Sequence, residues 1–382
     1  MNLLGTYLTL LIGPSIPAPA PVSLSTAIRS VTVTHTDDPQ KRSGFEIVFG
    51  VGRDQTTGLS DYDLSLSPLL TPYSRVILVV TFGGVPQVLM DGLITQVQLS
   101  PSNEPGASTL TVTGEDVSLA MDLAEKSAEH PGMSEMVIAT VLIAEYAQYG
   151  LVPLVTPPGA IDVPLPTDRI PTQQGTDLAF LRELATRFGY VFYIIPGPAP
   201  AANIAYWGPP MRSGVPQPAL SYNLGPSSNV RSMQFQHNAL APTAVTGSVQ
   251  DRTTNQTMPI QSTPPTRAPL SSLPTALAYA GRIPTTILRA NGQTSTQALA
   301  LAQARADASS DSAATASGEL DAGSYGTILQ ARALVGVRGA GQSFDGTWYV
   351  KSVTHKLGRG SYTQSFELSR DGLGSATAAV IP

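Results

Sequence analysis

The sequence predicts a protein of the α+β class, mainly β, with more than one domain. The chain has 382 residues, whereas a single hydrophobic core stops growing at about 250–300 residues. Hydrophobic residues make up 42% of the chain, and 34 glycines and 33 prolines interrupt it, which is typical of a folded, turn-rich chain rather than a disordered one. Strand-like alternation of apolar and polar residues recurs towards both ends, and helical spacing recurs between them.

Strand patterns predominate in residues 1–115. In residues 44–51, apolar side chains occupy every second position, as in a half-buried strand. The segment RVILVVTF at 75–82 is apolar almost throughout, which is typical of a buried strand. Gly83-Gly84 follows it directly and predicts a two-residue hairpin. We therefore expect this region to be β-structure.

Two helices are expected between residues 116 and 195. Ser134 is placed to cap the first helix, which we expect to run to Gly150 with Val137, Val141 and Ala144 on its apolar face. The second helix covers TDLAFLRELATRFG, and the strand YVFYII follows it at once. This change from period two to helical spacing indicates a separate α/β region.

Strand patterns resume at about residue 229 with VRSMQFQ and TAVTGSVQD. Thr294 and Gln297 have the spacing of a capping box, which predicts a helix that ends near Ser310. The last two strands are joined at Gly358-Arg359-Gly360, and this turn predicts a hairpin over 346–371.

One internal similarity suggests a duplicated unit. Residues 92–116 and 346–371 share the order glycine, strand, turn, strand and acidic residue. The shared order predicts two similar β domains in one chain. Because any β-hairpin produces a similar pattern, two unrelated hairpins remain the alternative.

The composition excludes several kinds of site. Without cysteine, the chain can form neither a disulfide framework nor a cysteine-ligated metal site. A net charge of −5 with no basic run argues against nucleic acid as a ligand. No apolar run approaches the roughly 20 residues of a membrane-spanning helix. We therefore expect no nucleic-acid partner and no membrane span.

No arrangement of residues predicts catalysis. The four histidines are far apart in sequence, and none has a partner three or four residues away. His35 and His355 each follow Val-Thr, so we expect them on strands, either hydrogen-bonded or exposed rather than as metal ligands. The nucleophile motif G-x-S-x-G is absent from the sequence. We expect no catalytic, cofactor-binding or metal-binding residue and no enzymatic activity.

Three segments together carry a resemblance to a known group of proteins. The helix and strand at 176–195 contribute a set of signature residues, namely Asp177, Phe180, Leu181, Leu184, Ala185, Gly189, Tyr190 and Tyr193. The strand AYWGPP contributes Trp207, and the C-terminal hairpin contributes Trp348, Val353, Phe366 and Asp371. In this order and spacing the segments resemble phage late control D proteins, VgrG spike proteins and the baseplate hub proteins of contractile tails.

The resemblance implies a fold of two tube-type β-barrel domains with an α/β domain between them and an inserted loop and helix segment. The implied boundaries are 1–115 for the first barrel, 116–228 for the helix-containing domain, 229–256 with 319–372 for the second barrel, 257–318 for the insertion and 373–382 for a C-terminal tail.

The resemblance also implies a structural role. Hub proteins of this kind are implied to be homotrimers that join a six-fold inner tube to a three-fold spike in a phage-like tail or contractile injection system. The chain ends about ten residues after Gly372, whereas VgrG proteins continue, so we expect the spike to be a separate protein. The implied partners are the inner tube protein, this spike and other baseplate proteins. We expect assembly in the bacterial cytoplasm into a phage-tail-like particle, a virion or a released or membrane-docked particle.

Two other functions remain as alternatives. A tail-associated cell-wall hydrolase would carry an extra compact domain with catalytic residues, and no segment of the sequence is free to form one. A β-rich adhesin or carbohydrate-binding module would fit the glycine and proline content, but the helices in the middle of the chain argue against it. The size of the particle in solution separates these alternatives, since a hub forms a trimer and they do not require one.

Overall fold

The computed structural model of the chain describes residues 5–376, apart from positions 15, 39–40, 53–61, 63, 66, 160–162, 165, 168, 252–253 and 290–292. Strands account for 45% of the chain and helices for 19%, and the strand pairing is mainly antiparallel. The predicted class, α+β and mainly β, is confirmed.

The elements follow one another in three stretches. The first contains β1 (Tyr7–Gly13), β2 (Ala18–Pro19), α1 (Val22–Ala27), β3 (Ile28–Thr36), β4 (Gly44–Gly50), β5 (Arg75–Phe82), β6 (Val85–Ser100) and β7 (Thr109–Asp116). The second contains β8 (Glu125–Glu129), α2 (Glu135–Ala144), β9 (Leu151–Val155), β10 (Thr172–Thr176), α3 (Asp177–Arg187), β11 (Val191–Pro196) and β12 (Asn203–Gly208). Short 3-10 turns lie at Val117–Asp122, Ala147–Tyr149, Gly225–Ser227 and Ala280–Arg282.

The third stretch contains the remaining elements: β13 (Gln217–Ser221), β14 (Val230–His237), β15 (Ala244–Gln250), β16 (Thr257–Gln261), β17 (Ser271–Pro274), α4 (Thr275–Ala278), β18 (Thr285–Leu288), α5 (Ser295–Ser310), β19 (Ala314–Asp321), α6 (Ala322–Tyr325), β20 (Leu334–Arg338), β21 (Gly346–Gly358), β22 (Ser361–Arg370) and β23 (Gly372–Ser375).

One main sheet of 13 strands runs through most of the molecule, in the order β14-β19-β22-β21-β3-β4-β7-β6-β5-β1-β2, with β20 and β13 branching from β21. The ladder joins strands from both ends of the chain, and among the described residues it does not close on itself. The expectation of two separate closed barrels is therefore corrected to one continuous sheet. The reason is that β21 pairs with β3, so the strands of the two expected barrels share one ladder.

Each half of this sheet has its own core. We call β1 and β3–β7 the first half, and β13, β14 and β19–β22 the second half. In each half, alternate side chains from one face of the strands meet in a cluster, which requires the half-sheet to curl. The first cluster also includes Leu357 and Tyr362 of the second half. Phe49 and Ile94 lie at the centre of the first core, and Trp348, Val353 and Phe366 at the centre of the second.

The two halves repeat one strand order. The first half runs β3-β4-β7-β6-β5-β1, and the second runs β14-β19-β22-β21-β20-β13. The two hairpins matched in the sequence are β6–β7 and β21–β22, which occupy the same place in each half. The predicted duplication is therefore confirmed in strand order. The halves differ in the last pair, which is antiparallel between β1 and β5 and parallel between β13 and β20.

Local irregularities repeat as well. Arg29 and Arg231 are each the extra residue of a β-bulge at the start of β3 and β14. Thr95 in β6 and Lys351 in β21 are each the extra residue opposite β7 and β22. Because a bulge shifts the register of a strand, the same bulge at the same place is strong support for a duplication.

Backbone conformation gives a third match. Tyr73 and Arg332 both adopt φ 66°, a left-handed conformation that is uncommon for residues other than glycine. The Tyr73 amide donates to the Ile94 carbonyl at 2.8 Å, and the Arg332 amide donates to the Val350 carbonyl at 2.7 Å. Tyr73 in the first half is thus the structural counterpart of Arg332 in the second.

A middle unit, β8–β12 with α2 and α3, packs its helices on the sheet β11-β12-β9. Ser134 caps α2 as expected, but α2 ends at Ala144 rather than Gly150. The expected apolar face is also wrong, because Val137 and Val141 are 40% and 42% exposed. Ile138 and Leu142 are buried in their place, since α2 is apolar on several sides and its spacing does not select one.

An insertion unit consists of β15, β16, β18 and α5. Its three strands form a separate sheet against α5, which carries the predicted capping box of Thr294 and Gln297. The expected boundaries differ from this ladder: β15 was placed with the second barrel but pairs in the insertion sheet, and β19 was placed largely in the insertion but joins the main sheet. The alternation of a strand identifies the strand but not its distant partner.

Leu181 provides a test of the middle unit. It lies at 0% exposure in the core between α3 and the sheet. We expect Leu181→Ala to lower the free energy of unfolding by about 2–5 kcal/mol, through lost burial and the cavity left behind. Urea unfolding measures this change. Glu183→Ala on the exposed side of α3 is the control and should change the free energy by about 0.5 kcal/mol or less; equal effects of the two variants would contradict the placement.

Candidate functional site: an assembly surface of the main sheet

The two halves of the main sheet meet at one antiparallel ladder. Residues Ser352–Gly358 of β21 pair with Ser30–Thr36 of β3, and we call this ladder the seam. The Thr34 and Thr354 hydroxyls lie 3.1 Å apart across it. The Asp37 amide extends the ladder by donating to the Lys351 carbonyl at 3.2 Å. The seam thus holds together segments that lie more than 300 positions apart in the chain.

Two buried histidines lie side by side at the seam. The His35 and His355 rings are 6.1 Å apart, edge to face. His35 Nε2 donates to the Leu89 carbonyl at 2.7 Å, and His355 Nδ1 lies 3.0 Å from the Tyr362 hydroxyl. Burial, assisted by the charge of Arg332, lowers the pKa of His35 to about 4. Burial also lowers the pKa of His355 well below its usual value. Both rings are therefore neutral at pH 7 and act as packing and hydrogen-bonding groups.

Arg332 ties the seam to the middle unit. Its guanidinium donates to the Ile194 carbonyl at 2.9 Å, to the Thr36 carbonyl at 2.5 Å and to Ser43 Oγ at 2.9 Å. The guanidinium also lies 4.0 Å from the centre of the Tyr193 ring. Burial lowers the Arg332 pKa, but guanidinium stays charged in proteins. One side chain of the second half therefore binds both the first half and the middle unit.

A buried ion pair joins the first half to the middle unit. Arg75 binds Asp91 through two hydrogen bonds of 2.8 and 2.7 Å and donates to the Tyr149 carbonyl at 2.7 Å. Asn203 donates to the same Asp91 carboxylate at 2.7 Å. Both charged side chains are almost fully buried. Because a buried charge without a partner is costly, this pair fixes the position of the middle unit against β5 and β6.

Asp177, the first predicted signature residue, lies at the start of α3. Its buried carboxylate accepts hydrogen bonds from Lys126 Nζ, the Tyr146 hydroxyl and Gln173 Nε2, each at 2.6 Å. Burial by itself would raise the pKa of Asp177, but these hydrogen bonds outweigh it and hold the pKa below its usual value. Asp177 therefore anchors α3 to β8, to β10 and to the turn that follows α2.

The other predicted residues of this segment lie in or beside the middle core. Phe180, Leu181 and Leu184 are buried there, and Trp207 Nε1 donates to the Leu181 carbonyl at 3.2 Å. Tyr190 packs edge-on against the same indole at 5.1 Å.

Two further predicted residues mark contacts of the middle unit with its neighbours. Gly189 has φ +65° after the end of α3, and a Cβ there would lie 3.0 Å from the Ala304 side chain of α5. The glycine thus allows the turn and the close approach of the insertion unit. The ring of Tyr193 packs against the Arg332 guanidinium, as described above.

The predicted residues of the C-terminal hairpin lie elsewhere. Trp348, Val353 and Phe366 belong to the core of the second half. Asp371 accepts hydrogen bonds from the Leu270 amide at 2.8 Å and Ser271 Oγ at 2.9 Å, and it pairs with Arg212 at 3.1 Å. The predicted residues therefore occupy separate structural positions and do not converge in one cavity.

Sequence reasoning missed the residues that join the units, above all Arg332. A signal for the duplication was nevertheless present. Ile28-Arg29-Ser30 at the start of β3 corresponds to Val230-Arg231-Ser232 at the start of β14, and both strands place a histidine five residues after this serine. This pair of segments gives the correct register of the repeat.

One face of the main sheet is polar across both halves. The side chains that point away from the two cores are mostly hydroxyl and amide groups. They include Gln96, Gln98, Thr111, Thr113, Thr32, Thr34, Ser352, Thr354, Ser365, Ser317, Gln234 and Gln236. Glu46, Lys356, Glu319 and Glu367 add charges of both signs. The polar face continues across the seam, and apolar residues interrupt it only singly.

Besides the end strands β2 and β13, two strand edges in the main sheet lack a partner among the described residues. On β14, the Asn238 amide bonds inward to the Ala313 carbonyl, so by alternation the Phe235 and His237 amides point outward. On β6, the pairing with β5 ends at Leu93, and Gln96–Ser100 has β7 on one side only.

The described part of the chain contains no group of three or more His, Asp or Glu side chains placed to hold a metal ion. Among the same residues, no helix has the length and apolar character needed to cross a membrane.

Solved structures with a similar fold include phage and prophage tail proteins. A tail protein from Neisseria meningitidis has a TM-score of 0.65 and 16% identity, over 97% of this chain and 98% of that one. The 43 kDa tail protein of prophage MuSo2 from Shewanella oneidensis has a TM-score of 0.63 and 12% identity, over 97% and 100%.

A third structure, a component of the type VI secretion system of E. coli, has a TM-score of 0.57 and 13% identity, over 93% of this chain and 77% of that one. That protein is described as similar to the T4 bacteriophage tail proteins gp27 and gp5. No protein-family model and no curated protein sequence matches the chain. At these identities the comparisons establish the fold: the chain folds like phage tail proteins and related type VI secretion components.

The histidine pair makes stability depend on pH. Because the pKa of His35 is about 4 in the folded chain and about 6.5 in an unfolded one, the unfolded chain binds more protons between these values. Stability therefore falls as the pH drops from about 6.5 towards 4. We expect His35→Gln to reduce the loss of unfolding free energy between pH 7.5 and pH 5 by about 2 kcal/mol, measured by urea unfolding at both values. Thr34→Ser, which alters the seam without removing a titratable group, should keep the wild-type pH dependence of the unfolding free energy. If His35→Gln also keeps the wild-type pH dependence, the claim that His35 is buried and neutral is refuted.

Proposed function

We propose that this protein is the structural hub of a baseplate in a phage-like tail or contractile injection system. It acts as a homotrimer and joins a six-fold inner tube to a three-fold spike. The observation that carries the proposal is the repeat of one six-stranded unit within a continuous sheet. The tail-protein fold of its structural neighbours supports the setting.

The duplication fits a symmetry mismatch. A six-fold ring and a three-fold spike can meet only through a component that presents six similar surfaces on one side and three on the other. Three chains with two similar halves each supply six similar units. The middle and insertion units occur once per chain, so they supply a three-fold surface. Each side of the ring can then repeat one set of contacts, six times towards the tube and three times towards the spike.

The polar face suits the lining of a tube. Hydroxyl and amide side chains on neighbouring strands are well hydrated and offer no apolar patch for a passing chain to bind. In the proposed ring of three chains, each half-sheet curls around its own core. The polar face points away from these cores and can therefore line the interior of the ring. The continuity of the face across the seam supports the same role for both halves.

The buried charges support a structural rather than a catalytic role. The Arg75–Asp91 pair, the Arg332 cluster and the Asp177 cluster each join separate elements of the fold through hydrogen bonds to protein groups. No observation on this chain favours a cell-wall hydrolase or a carbohydrate-binding module over the hub.

The purified chain tests the proposal when it is mixed with the inner tube protein of the same particle. We expect mass photometry to show a species of three times the 39.9 kDa chain mass. Cryo-electron microscopy should show this species capping tube rings, with the tube protein alone as control. Monomers that do not cap tubes would refute the hub, and clearing of a peptidoglycan suspension would instead support the hydrolase.

A further inference from the structure

The two open edges of the main sheet are the counterparts of the two strands that form the seam. By the repeat, β14 corresponds to β3, and β6 corresponds to β21. Within the chain, β21 pairs with β3, whereas the outer edge of β14 and the outer edge of Gln96–Ser100 in β6 have no partner strand among the described residues. We infer that Gln96–Ser100 of β6 pairs with Gln234–Asn238 of β14 from a second copy of this chain, in the register of the seam.

The bulges define that register. Thr95 and Lys351 are equivalent, as are Arg29 and Arg231. The seam pair Thr354 and Thr34 therefore corresponds to Gln98 and Gln236. Strand β6 of one copy then runs antiparallel to β14 of another copy, with Gln98 opposite Gln236. Both glutamines lie on the polar face of the sheet, as Thr354 and Thr34 do in the seam.

The backbone groups at the two edges are complementary. In the seam, the hydrogen bond from the Asp37 amide to the Lys351 carbonyl implies by alternation that Val353 exchanges hydrogen bonds with His35. The counterparts are Val97 and His237, and next to them Leu99 and Phe235. The outward amides of β14 belong to the same two residues, Phe235 and His237, so both edges present their free groups at matching positions.

The side chains near the edges also indicate a covered surface. Tyr73 is 59% exposed beside β6, and Leu240 is 70% exposed just beyond β14. The counterpart of Tyr73 is Arg332, which is buried at the seam against Thr36 and Ser43. A second copy placed as in the seam would cover Tyr73 in the same way.

The other free edges of the sheet are protected, and β14 is not. The short β2 includes Pro19 and lies next to Pro17 and Pro21, and β13 includes Pro218. Proline removes an amide donor and blocks strand addition. Strand β14 contains no proline and alternates apolar and polar residues over Val230–His237. Such an edge promotes aggregation unless another strand pairs with it. Pro101 limits the partner segment, since it offers no amide beyond Ser100.

The pairing is heterologous, because β6 of one copy binds β14 of the next. A heterologous contact forms a ring when its rotation divides a full turn and a filament when it does not. The number of three copies rests on the proposed function, whereas the pairing and its register rest on the repeat. In the ring, intrachain seams and interchain pairings alternate around the sheet.

Cysteine crosslinking tests the register directly, because the chain contains no cysteine. Residues at non-hydrogen-bonded antiparallel positions have Cα atoms about 4.5 Å apart, within the about 4.4–6.8 Å range that disulfides require. We expect the variant with Gln98→Cys and Gln236→Cys, oxidised at micromolar concentration, to migrate mainly as a covalent trimer that reductant dissolves. Both positions are exposed, so the substitutions leave the fold intact.

Three controls make the result specific. Thr34→Cys with Thr354→Cys should form a disulfide within the monomer across the seam. Thr111→Cys with Gln236→Cys places one cysteine a strand further from the interface on the same face and should crosslink weakly. Each single variant should give at most covalent dimers.

Mass photometry of the same samples separates this inference from the proposed function. A non-covalent trimer without the Gln98–Gln236 crosslink would overturn the register and leave the homotrimer standing. Equal crosslinking by the Thr111 variant would also overturn the register. Monomers in every sample would overturn both the pairing and the homotrimer.

Discussion

The ladder between β21 and β3 is the contact on which the rest of the structure depends. It turns two half-sheets, formed by the two ends of the chain, into one continuous sheet. Around it lie the two neutral histidines and the Arg332 guanidinium, which reaches the first half and the middle unit together. Backbone hydrogen bonds, buried polar groups and apolar packing act jointly here, since Leu357 and Tyr362 of the second half belong to the first hydrophobic core.

The repeat explains why equivalent strand edges are paired in one place and unpaired in another. The edges of β3 and β21 pair at the seam, and the equivalent edges of β14 and β6 are open among the described strands. Inside the chain, the repeated unit meets its own copy once, and the equivalent outer edges have no partner strand within the described part of the chain. The symmetry is not perfect, since Arg332 at the seam corresponds to Tyr73 at the open edge. An arginine suits a buried junction whose partners belong to the same chain and are always present. A tyrosine tolerates both water and a partner, which suits an edge that is exposed before assembly.

Local features of the fold could be predicted from the sequence, and long-range ones could not. Alternation in 44–51, the Gly83-Gly84 turn and the capping box at Thr294 each depend on neighbouring residues, and each was predicted correctly. The buried face of α2 was not, because apolar residues on several sides leave the periodicity without a preferred direction. The partners of β15 and β19 depend on residues far away in the chain, about which alternation carries no information.

The candidate site shows the same difference between what local sequence predicts and what depends on long-range contacts. The signature residues were identified by resemblance, but their separate roles, such as the anchoring of α3 by Asp177, emerged only from the contacts. Arg332 lies in no recognisable motif, and its importance comes from its left-handed backbone and its three acceptors on other elements. The sequence contains histidines at equivalent places in β3 and β14, and the bulges at Arg29 and Arg231 establish that the two strands are equivalent.

The central claim is that the seam recurs between chains. Residue-resolved hydrogen exchange of the assembled protein tests it most directly, at the outward amides of Phe235 and His237. The inward amides of Gln234 and Gln236 on the same strand serve as the internal reference, since β19 protects them in any state. The account predicts that all four amides exchange slowly in the assembly and that dilution to monomers releases only Phe235 and His237. Fast exchange of these two amides in an intact trimer would contradict it.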